Sequence, residues 1–312
     1  MTPTPRTATL AAVTAAALLL ASCSPATGAA GDAEGTAGAA TIVASTAIWA
    51  DVAQAVAPDA DVSAIVGDAN VDPHSFEPSA ADLARAASAD VVVANGGGYD
   101  SWLYQVVDQD KIVHALPLVD GHGHDAEDEH ADEPPAEDEH ADHGHSVEGG
   151  LDTVDGNEHI WYDTDAVTLV AEDIAGTVGG DASAVVADMA ELKTRIEALP
   201  PLRVAQTETI ADYIIDDSPM TDVTPAGYRQ TQLNEGEPTA ADLAAFLDLV
   251  EAGEVDLLIY NPQTTTDLTG RIRTAAEDAG VTVIELGETP PAGTDFLTYF
   301  RQVVEEISAA AQ

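Results

Sequence analysis

Histidine is the residue type whose placement in this sequence points most clearly to chemistry. Six of the nine histidines lie within residues 120–148, together with twelve acidic residues. Imidazole beside carboxylate is a ligand combination that suits zinc, copper or nickel. Nothing in the segment could form a core, so we predict a disordered or loosely ordered insertion, although such a charge run is often only solvated surface. We expect it to bind several metal ions weakly, through His122, His124, His130, His140, His143 and His145.

Two of the three remaining histidines stand in unusual local contexts. His74 lies in the motif Val-Asp-Pro-His-Ser-Phe-Glu-Pro, directly before a helix start at Ser79. Pro73 fixes its own backbone angle and restricts the residue before it, which holds the imidazole on a defined turn. His159 lies in Asn-Glu-His-Ile-Trp-Tyr-Asp, just after the histidine-rich segment. A single histidine on a turn is usually a surface residue, but these two contexts together favour metal ligands.

The sequence lacks the motifs of common enzymes. It contains no His-Glu-x-x-His, no Gly-x-Ser-x-Gly and no glycine-rich phosphate loop. The three glycines at 96–98 are better explained as a turn between a strand and a helix. A zinc hydrolase also needs an open coordination position and a nearby general base. We therefore expect a binding protein and not an enzyme.

The charge of the chain excludes a second class of function. It has 56 acidic residues against 10 basic ones, a formal net charge of −46 at pH 7. A nucleic-acid backbone is bound through a footprint of lysine and arginine, so nucleic acid is not an expected partner. An acidic surface fits a soluble protein that meets cations, although charge sets solubility more than function.

The N-terminus predicts export and a lipid anchor. Arg6 precedes an apolar stretch over residues 10–21, which is too short to span a bilayer and is typical of an export signal. Leu-Ala-Ser-Cys follows, ends at the only cysteine, Cys23, and resembles a bacterial lipobox. We predict a signal peptide over 1–22, a lipidated Cys23 that anchors the protein to the cell membrane, and a flexible tether over 23–40. An ordinary secretory signal that happens to contain a cysteine is the alternative.

Strand and helix patterns alternate through the rest of the chain. Short apolar runs predict strands at residues 41–45, 61–66, 90–95, 111–116, 202–207, 256–260 and 281–286. Helical patterns lie between them at residues 49–57, 80–88, 99–109, 240–251, 267–279 and 295–310. This alternation predicts an α/β fold with parallel sheets covered by helices. The 312 residues are enough for two lobes of roughly 100–150 residues each.

One octapeptide occurs twice with a single change. Glu-Pro-Ser-Ala-Ala-Asp-Leu-Ala at 77–84 recurs as Glu-Pro-Thr-Ala-Ala-Asp-Leu-Ala at 237–244. Each copy places Ser or Thr at a helix N-cap with Asp three residues later, a variant of the capping box. The two copies are either similar helix starts in an alanine-rich chain or equivalent positions in two similarly built lobes.

A continuous helical pattern over residues 181–199 divides the chain. It ends at Pro200 and Pro201, and its length would be about 28 Å, enough to cross from one lobe to the other. We therefore predict an N-terminal lobe over 41–180, a linking helix over 181–200 and a C-terminal lobe over 201–312.

A series of motifs occurs in order along the chain. The most specific is Val-Asp-Pro-His-Ser-Phe-Glu-Pro at 71–78. The others are Gly-Tyr-Asp-Ser-Trp at 98–102, His-Ile-Trp-Tyr-Asp at 159–163, Thr-Glu at 207–208, Asn-Glu-Gly-Glu-Pro at 234–238, Tyr-Asn-Pro-Gln-Thr at 260–264 and Gly-Glu-Thr-Pro at 287–290. Together these motifs resemble one family, the zinc/manganese substrate-binding lipoproteins of bacterial ABC transporters (ZnuA-like proteins). The resemblance runs from about residue 41 to the C-terminus and includes the histidine-rich segment.

The resemblance implies two Rossmann-like lobes with parallel sheets, joined by a single helix, with a metal site in the cleft between them. By position it assigns His74 and His159 as the first two ligands. Glu208 occupies the third ligand position, where the family has His or an acid. Glu288 occupies the fourth, where the family normally has Asp.

Two neighbouring acids compete for the fourth position, and one histidine has no assigned role. Glu285 and Asp295 lie close to Glu288 in the sequence and remain alternatives to it. His114 has no counterpart among the family's ligands and is expected to be structural or associated with the histidine-rich segment.

Two imidazoles and two carboxylates would neutralise a divalent ion and match the preference of zinc for four nitrogen or oxygen ligands. Oxygen ligands also suit manganese, so Mn²⁺ is the alternative cargo to Zn²⁺, while the Irving–Williams order favours zinc. The resemblance further implies delivery to the membrane subunits of an ABC permease by a monomer on the extracytoplasmic side. A surface metal buffer or adhesin is the alternative function.

Overall fold

The computed structural model describes residues 39–119, 151, 153–234 and 236–310. The predicted signal peptide, the predicted lipidation site Cys23 and most of the predicted tether lie outside these residues, as does the histidine-rich segment with its six histidines. Those expectations stay predictions. Within the described part of the chain, no helix combines the length and the apolar character needed to cross a membrane.

The first sheet has four parallel strands in the order β2-β1-β3-β4. They are β1 (Thr41–Thr46), β2 (Asp61–Val66), β3 (Val91–Ala94) and β4 (Ile112–His114). In the register, Ala44 pairs with Ala64 on one side and with Val93 on the other. Strands β1, β3 and β4 are almost completely buried, as expected for a parallel sheet covered on both faces. All four strands expected in this half of the chain are present.

The second sheet repeats this topology, with the order β6-β5-β7-β8. Its strands are β5 (Arg203–Gln206), β6 (Thr221–Asp222), β7 (Leu257–Tyr260) and β8 (Thr282–Glu285). Three of them match expected strands, whereas β6 was not expected because a strand of two residues leaves no pattern in the sequence. The prediction of two parallel-sheet lobes is confirmed.

Ten α-helices surround the two sheets in the described residues. They are α1 (Ala47–Val56), α2 (Ala80–Ser88), α3 (Ser101–Tyr104), α4 (Thr164–Val178), α5 (Ser183–Glu197), α6 (Asp212–Asp216), α7 (Ala226–Leu233), α8 (Ala240–Glu251), α9 (Asp267–Asp278) and α10 (Phe296–Ala310). The prediction of one helix over residues 99–109 is wrong in length, because this segment contains only the short α3 and a 3-10 turn at Gln109–Lys111. The β-branched pair Val106 and Val107 follows α3 and disfavours its continuation.

The repeated octapeptide begins helices at equivalent positions in the two lobes. Helix α2 lies between the edge strand β2 and β3, and α8 lies between the edge strand β6 and β7. Ser79 and Thr239 each form a complete capping box with the Asp three residues later. Of the two explanations for the repeat, equivalent places in similarly built lobes agrees with the topology.

Helix α5 leads from the first lobe into β5 of the second. It runs over Ser183–Glu197, which is shorter than the expected 181–199 and corresponds to about 22 Å. The Asp181 side chain accepts a hydrogen bond from the Ser183 backbone N–H, so the chain turns into the helix two residues later than expected. Helix α4, which was not expected, precedes α5 and ends at Gly179 in the left-handed conformation (φ 78°).

One apolar core extends through both sheets and the helices between them. It includes the fully buried Trp49 of α1, Trp161 before α4 and Phe300 of α10. Helix α10, at the end of the chain, returns to the first lobe, where the Phe296 backbone N–H donates to Asp51 of α1 at 2.8 Å. The end of the chain therefore connects the second lobe to the first through the contact of α10 with α1.

Candidate metal centre

His74 lies on the loop between β2 and α2. The Asp72 side chain accepts a hydrogen bond from the His74 backbone N–H at 2.9 Å, which closes a tight turn around Pro73. The capping box of Ser79 begins α2 five residues later and fixes the far end of the same loop. With 21 % of its side chain exposed, His74 is the most accessible of the four predicted ligands.

His159 is positioned by the segment that enters α4. It directly precedes a 3-10 turn at Ile160–Tyr162, whose three side chains are buried in the core. The Asn157 side-chain oxygen lies 2.9 Å from the His159 backbone nitrogen and 2.7 Å from its Nδ1. With Nδ1 directed at Asn157, Nε2 faces the cleft.

The two predicted glutamates follow strands β5 and β8 of the second sheet. Glu208 accepts hydrogen bonds from the Thr264 hydroxyl at 2.7 Å and from the Asn261 side-chain amide. Glu288 is completely buried and accepts from the Tyr99 hydroxyl at 2.9 Å and from Asn261 at 3.1 Å. Asn261 therefore holds both carboxylates, and Tyr99 reaches Glu288 from the opposite lobe.

The structure brings all four predicted ligands together. One ligand atom from each of His74, His159, Glu208 and Glu288 lies within 4.8 Å of all the others. His74 Nε2 is 3.3 Å from His159 Nε2, 3.2 Å from Glu288 and 3.6 Å from Glu208. His159 Nε2 is 3.8 Å from Glu208 and 4.0 Å from Glu288.

These spacings suit a small divalent ion. Ligands at 2.0–2.2 Å from a tetrahedral zinc lie about 3.3–3.6 Å apart. Most of the separations between the side chains are therefore within a few tenths of an ångström of that value. The group could hold a metal ion after only small adjustments of the side chains.

The alternative residues lie in other environments. Glu285 is exposed and pairs with Arg273 at 2.5 Å. Asp295 accepts a hydrogen bond from the Thr298 backbone N–H at the start of α10. His114 is buried at the end of β4, with Nδ1 2.8 Å from the Leu116 carbonyl oxygen, which agrees with a structural role. None of the three belongs to the four-residue cluster.

Charge is unevenly distributed over the cluster. Burial alone would lower the pKa of His74, but the carboxylates of Glu288, Glu208 and Glu158 outweigh it and raise that pKa well above its usual value. Burial lowers the pKa of His159 to about 4. Burial and the neighbouring Glu288 raise the pKa of Glu208 to about 7, whereas His74 lowers the pKa of Glu288 to about 2 against the effect of burial. A proton bound in the metal-free site therefore resides on His74 or Glu208.

Several residues that support the ligands could not be identified from the sequence. Glu158 lies beside His74, with a carboxylate oxygen 3.5 Å from Nδ1. The Gln263 side-chain oxygen accepts from the Glu288 backbone N–H at 2.6 Å, and its amide donates to the Val71 carbonyl at 3.1 Å. Glu158 directly precedes the motif that begins at His159, and Gln263 lies in the motif at 260–264. Their position in or beside these motifs is the only feature of the sequence that could have indicated them.

A cavity of about 510 Å³ opens onto His74, His159 and Glu208. Its walls include Asp72 and Glu158 from the first lobe, and Thr207, Leu233, Pro238 and Leu268 from the second. This volume far exceeds a single ion, so a hydrated cation can enter the cavity and reach these three side chains, behind which Glu288 is buried.

Comparison with known proteins identifies the class. Residues 42–310 match the family described as zinc-uptake complex component A, periplasmic (ZnuA), and the chain belongs to this family. The family comprises extracytoplasmic solute-binding proteins of metal transporters and not enzymes, which confirms the expectation of a binding protein. None of the curated proteins is significantly similar in sequence.

Solved structures with the same fold include three metal-related proteins. A crystal structure of ZnuA is 18% identical, with a TM-score of 0.59 and coverage of 88% of this chain and 100% of that one. The periplasmic zinc-binding protein TroA from Treponema pallidum is 16% identical, with a TM-score of 0.61 and coverage of 88% and 99%. The SBP FpvC from Pseudomonas aeruginosa, in complex with Mn²⁺, is 15% identical, with a TM-score of 0.58 and coverage of 88% and 97%. Because these identities are low, the similarity is evidence for the fold alone, and it confirms the two-lobed fold.

Proposed function

We propose that this chain captures one divalent transition-metal ion, zinc before manganese, in the cleft and delivers it to the membrane subunits of an ABC-type permease. The observation that carries the proposal is the cluster of His74, His159, Glu208 and Glu288, whose ligand atoms lie within 4.8 Å of one another. Two of these side chains come from each lobe. Membership of the periplasmic zinc-uptake family supports the same function.

Zinc is favoured by the nature of the ligands. Two neutral imidazoles and two carboxylates balance the charge of a divalent ion and provide four nitrogen or oxygen ligands. Manganese is the second candidate because each carboxylate can offer two oxygens and because the similar FpvC structure holds Mn²⁺. In a direct contest the Irving–Williams order favours zinc over manganese at any common set of ligands.

Titration of the metal-free, full-length protein with zinc tests the capture step. In competition with a chromophoric chelator, we expect one tightly bound zinc ion per protein, which manganese displaces only when it is in large excess. The double variant Glu208→Gln/Glu288→Gln should lose this equivalent, because it removes the charge that balances the ion. A tight equivalent that survives in the double variant would place the binding site elsewhere.

Growth of the native host in chelator-treated medium tests delivery. A strain that lacks this protein should need added zinc, and the wild-type gene should remove that need while a His74→Ala/His159→Ala gene should not. If manganese and not zinc restores growth, the second candidate cargo is the correct one. Equal growth with and without the gene would contradict a role in uptake.

We further propose that Cys23 carries the lipid that holds the protein at the cell membrane. The support is its place after a short apolar segment, in the order Leu-Ala-Ser-Cys. Replacing Cys23 by Ala should move the protein from the membrane fraction to the medium. Continued membrane attachment of the variant would refute the lipid anchor.

The histidine-rich segment is proposed to gather metal without holding the transported ion. Its composition predicts no packed core, so ordering its ligands on binding should cost entropy that the cleft ligands do not bear. Deleting residues 120–148 should therefore remove several weak zinc equivalents and leave the tight one. Loss of the tight equivalent would make the segment the binding centre.

A further inference from the structure

The hydrogen bonds of Asn157 have a fixed direction. Its side-chain oxygen faces two atoms of His159, the backbone N–H at 2.9 Å and Nδ1 at 2.7 Å. Its side-chain amide faces the Asp212 carboxylate at 2.7 Å and the Thr209 carbonyl oxygen. A backbone N–H only donates, and a carboxylate and a carbonyl only accept, so the two ends of the carboxamide cannot be exchanged.

Asp212 is in turn held by an arginine. Arg229 donates to both carboxylate oxygens of Asp212, at 2.7 and 2.8 Å, in a bidentate pair. Gln206 donates to the same carboxylate at 2.7 Å. Asp212 and Asn157 are both 3% exposed, so this chain of hydrogen bonds is shielded from water.

This arrangement determines the tautomer of His159. Because the Asn157 oxygen can only accept, the ring nitrogen that faces it must carry the proton. The proton then resides on Nδ1, and the lone pair of Nε2 is available on the side of His74, Glu208 and Glu288. None of Asn157, Asp212 and Arg229 belongs to the cluster of candidate ligands.

We propose that Asn157 is a positioning residue, oriented by Asp212 and Arg229, that holds His159 in the tautomer able to bind the metal. The proposal rests on the proposed function, since it assigns His159 as a ligand. It also connects the two lobes, because Asn157 precedes α4 whereas Asp212 and Arg229 belong to α6 and α7. Mutation of a residue that hydrogen-bonds to a metal ligand in this way typically lowers metal affinity about ten- to hundredfold.

The tautomer itself can be measured without metal. In two-bond ¹H–¹⁵N correlation spectra of the metal-free, full-length protein, the His159 signals are those that disappear in His159→Gln. At neutral pH we expect a protonated Nδ1 and an unprotonated Nε2. A protonated Nε2 in the wild-type protein would overturn the proposal, whether or not the protein binds zinc.

Two substitutions of Asn157 separate positioning from simple structural support. Asn157→Ala removes the acceptor, so His159 should populate the Nε2-protonated tautomer and zinc affinity should fall about ten- to hundredfold. Asn157→Asp keeps the acceptor but sets a second carboxylate against Asp212, so it should lower the thermal stability while retaining the tautomer and most of the affinity. A merely structural role predicts the opposite order, with Asn157→Asp the weaker binder.

Asp155→Asn is the matched control. Asp155 also pairs with Arg229, at 3.1 Å, but its side chain is 68% exposed, and Arg229 keeps its two bonds to Asp212 without it. Its variant should keep the wild-type tautomer and zinc affinity. Failure of the wild-type protein to bind zinc would instead count against the proposed function. Equal affinities of Asn157→Ala and the wild type would overturn the positioning role alone.

Discussion

The four candidate ligands are held with different firmness. Glu288 is completely buried and bonded to Tyr99 and Asn261, and His159 is fixed by its own hydrogen bonds to the preceding segment. His74, on the loop before α2, has 21% of its side chain exposed. Glu288 and His159 are therefore preset, and His74 is the ligand best placed to close over an arriving ion.

Replacing either candidate histidine ligand tests the site directly. His74→Ala and His159→Ala should each weaken zinc binding more than tenfold, or more than about 1.4 kcal/mol. His114→Ala is the control, because it removes a buried imidazole of the same lobe that lies outside the cluster. Competition titrations should give wild-type affinity for this control. Unchanged affinity in both His74→Ala and His159→Ala would refute the ligand assignment.

Zinc binding should release protons at neutral pH. Nearby carboxylates raise the pKa of His74 well above its usual value, and the pKa of Glu208 is about 7, so the metal-free site carries protons there. The metal must displace them, so affinity should fall as the pH is lowered through 7, with about one to two protons released per zinc. His159, with a pKa of about 4, should not contribute in this range. Calorimetric titration in buffers with different enthalpies of ionisation measures the number of protons released. A binding enthalpy that does not depend on the buffer would contradict proton release.

At the scale of elements, the loop after β7 connects the ligand-bearing segments of both lobes. Its Gln263 oxygen accepts from the backbone N–H groups of Glu288 and Thr289, at 2.6 and 3.1 Å. Its amide donates to the Val71 carbonyl, on the loop that carries His74. One side chain thus joins the loop that carries His74 in the first lobe to the backbone of Glu288 in the second.

Removing this connection should loosen the site without removing a ligand. Gln263→Ala leaves two backbone N–H groups without their partner and should lower zinc affinity about tenfold, mainly through faster dissociation. Gln302→Ala, on the exposed face of α10, is the control and should leave the dissociation rate unchanged. Stopped-flow transfer of zinc to a chelator measures the rate. Equal rates in Gln263→Ala and the control would show that the connection is dispensable.

The two capping boxes offer a test of stability at equivalent positions. Ser79→Ala and Thr239→Ala each remove the side chain that accepts from the third backbone N–H of a helix, α2 or α8. Each change should lower the free energy of unfolding by about 1 kcal/mol. Because the helices belong to different lobes, the effects should add in the double variant. Urea denaturation measures all three, and a loss well below 0.5 kcal/mol in either would contradict the role of that cap.

Sequence patterns predicted long elements better than short ones. Helix α8 was expected with its observed bounds because a capping box precedes a clear apolar pattern. Strand β6 and helix α6, with two and five residues, are too short for any periodicity to register. Helix α4 has 15 residues and an Asp163 N-cap, which are the features that a sequence pattern can indicate.

The site could be predicted only in part, for a physical reason. His74, His159, Glu208 and Glu288 stand in motifs that can be recognised one at a time. Their supporting contacts join residues far apart, such as Asn157 and Asp212, which are separated by 55 positions. Such contacts depend on how two sheets are placed against each other, which no local pattern records.

At the scale of the whole molecule, the two lobes on either side of the cleft contact each other at several points. The described residues pack as one compact unit, and the core runs from α1 through α4 and α5 to α10. Near the site, Tyr162 donates to the Gly287 carbonyl at 2.8 Å and packs against Phe300 at 5.1 Å between ring centroids. A wide separation of the lobes would expose this core, at about 25 cal/mol for each Å² of apolar surface.

Metal exchange should therefore proceed by local movement of the ligand loops and not by wide opening of the lobes. At short labelling times, zinc should slow amide hydrogen exchange in the loops that carry His74, Glu208 and Glu288, whereas the amides of β1, β3 and α4 should stay protected with and without zinc. It should also raise the melting temperature, because it binds the folded protein preferentially. Small-angle scattering with and without zinc should give nearly the same radius of gyration. A clear contraction on zinc binding would instead show a hinge closure, in which the core contacts between the lobes form only in the loaded protein.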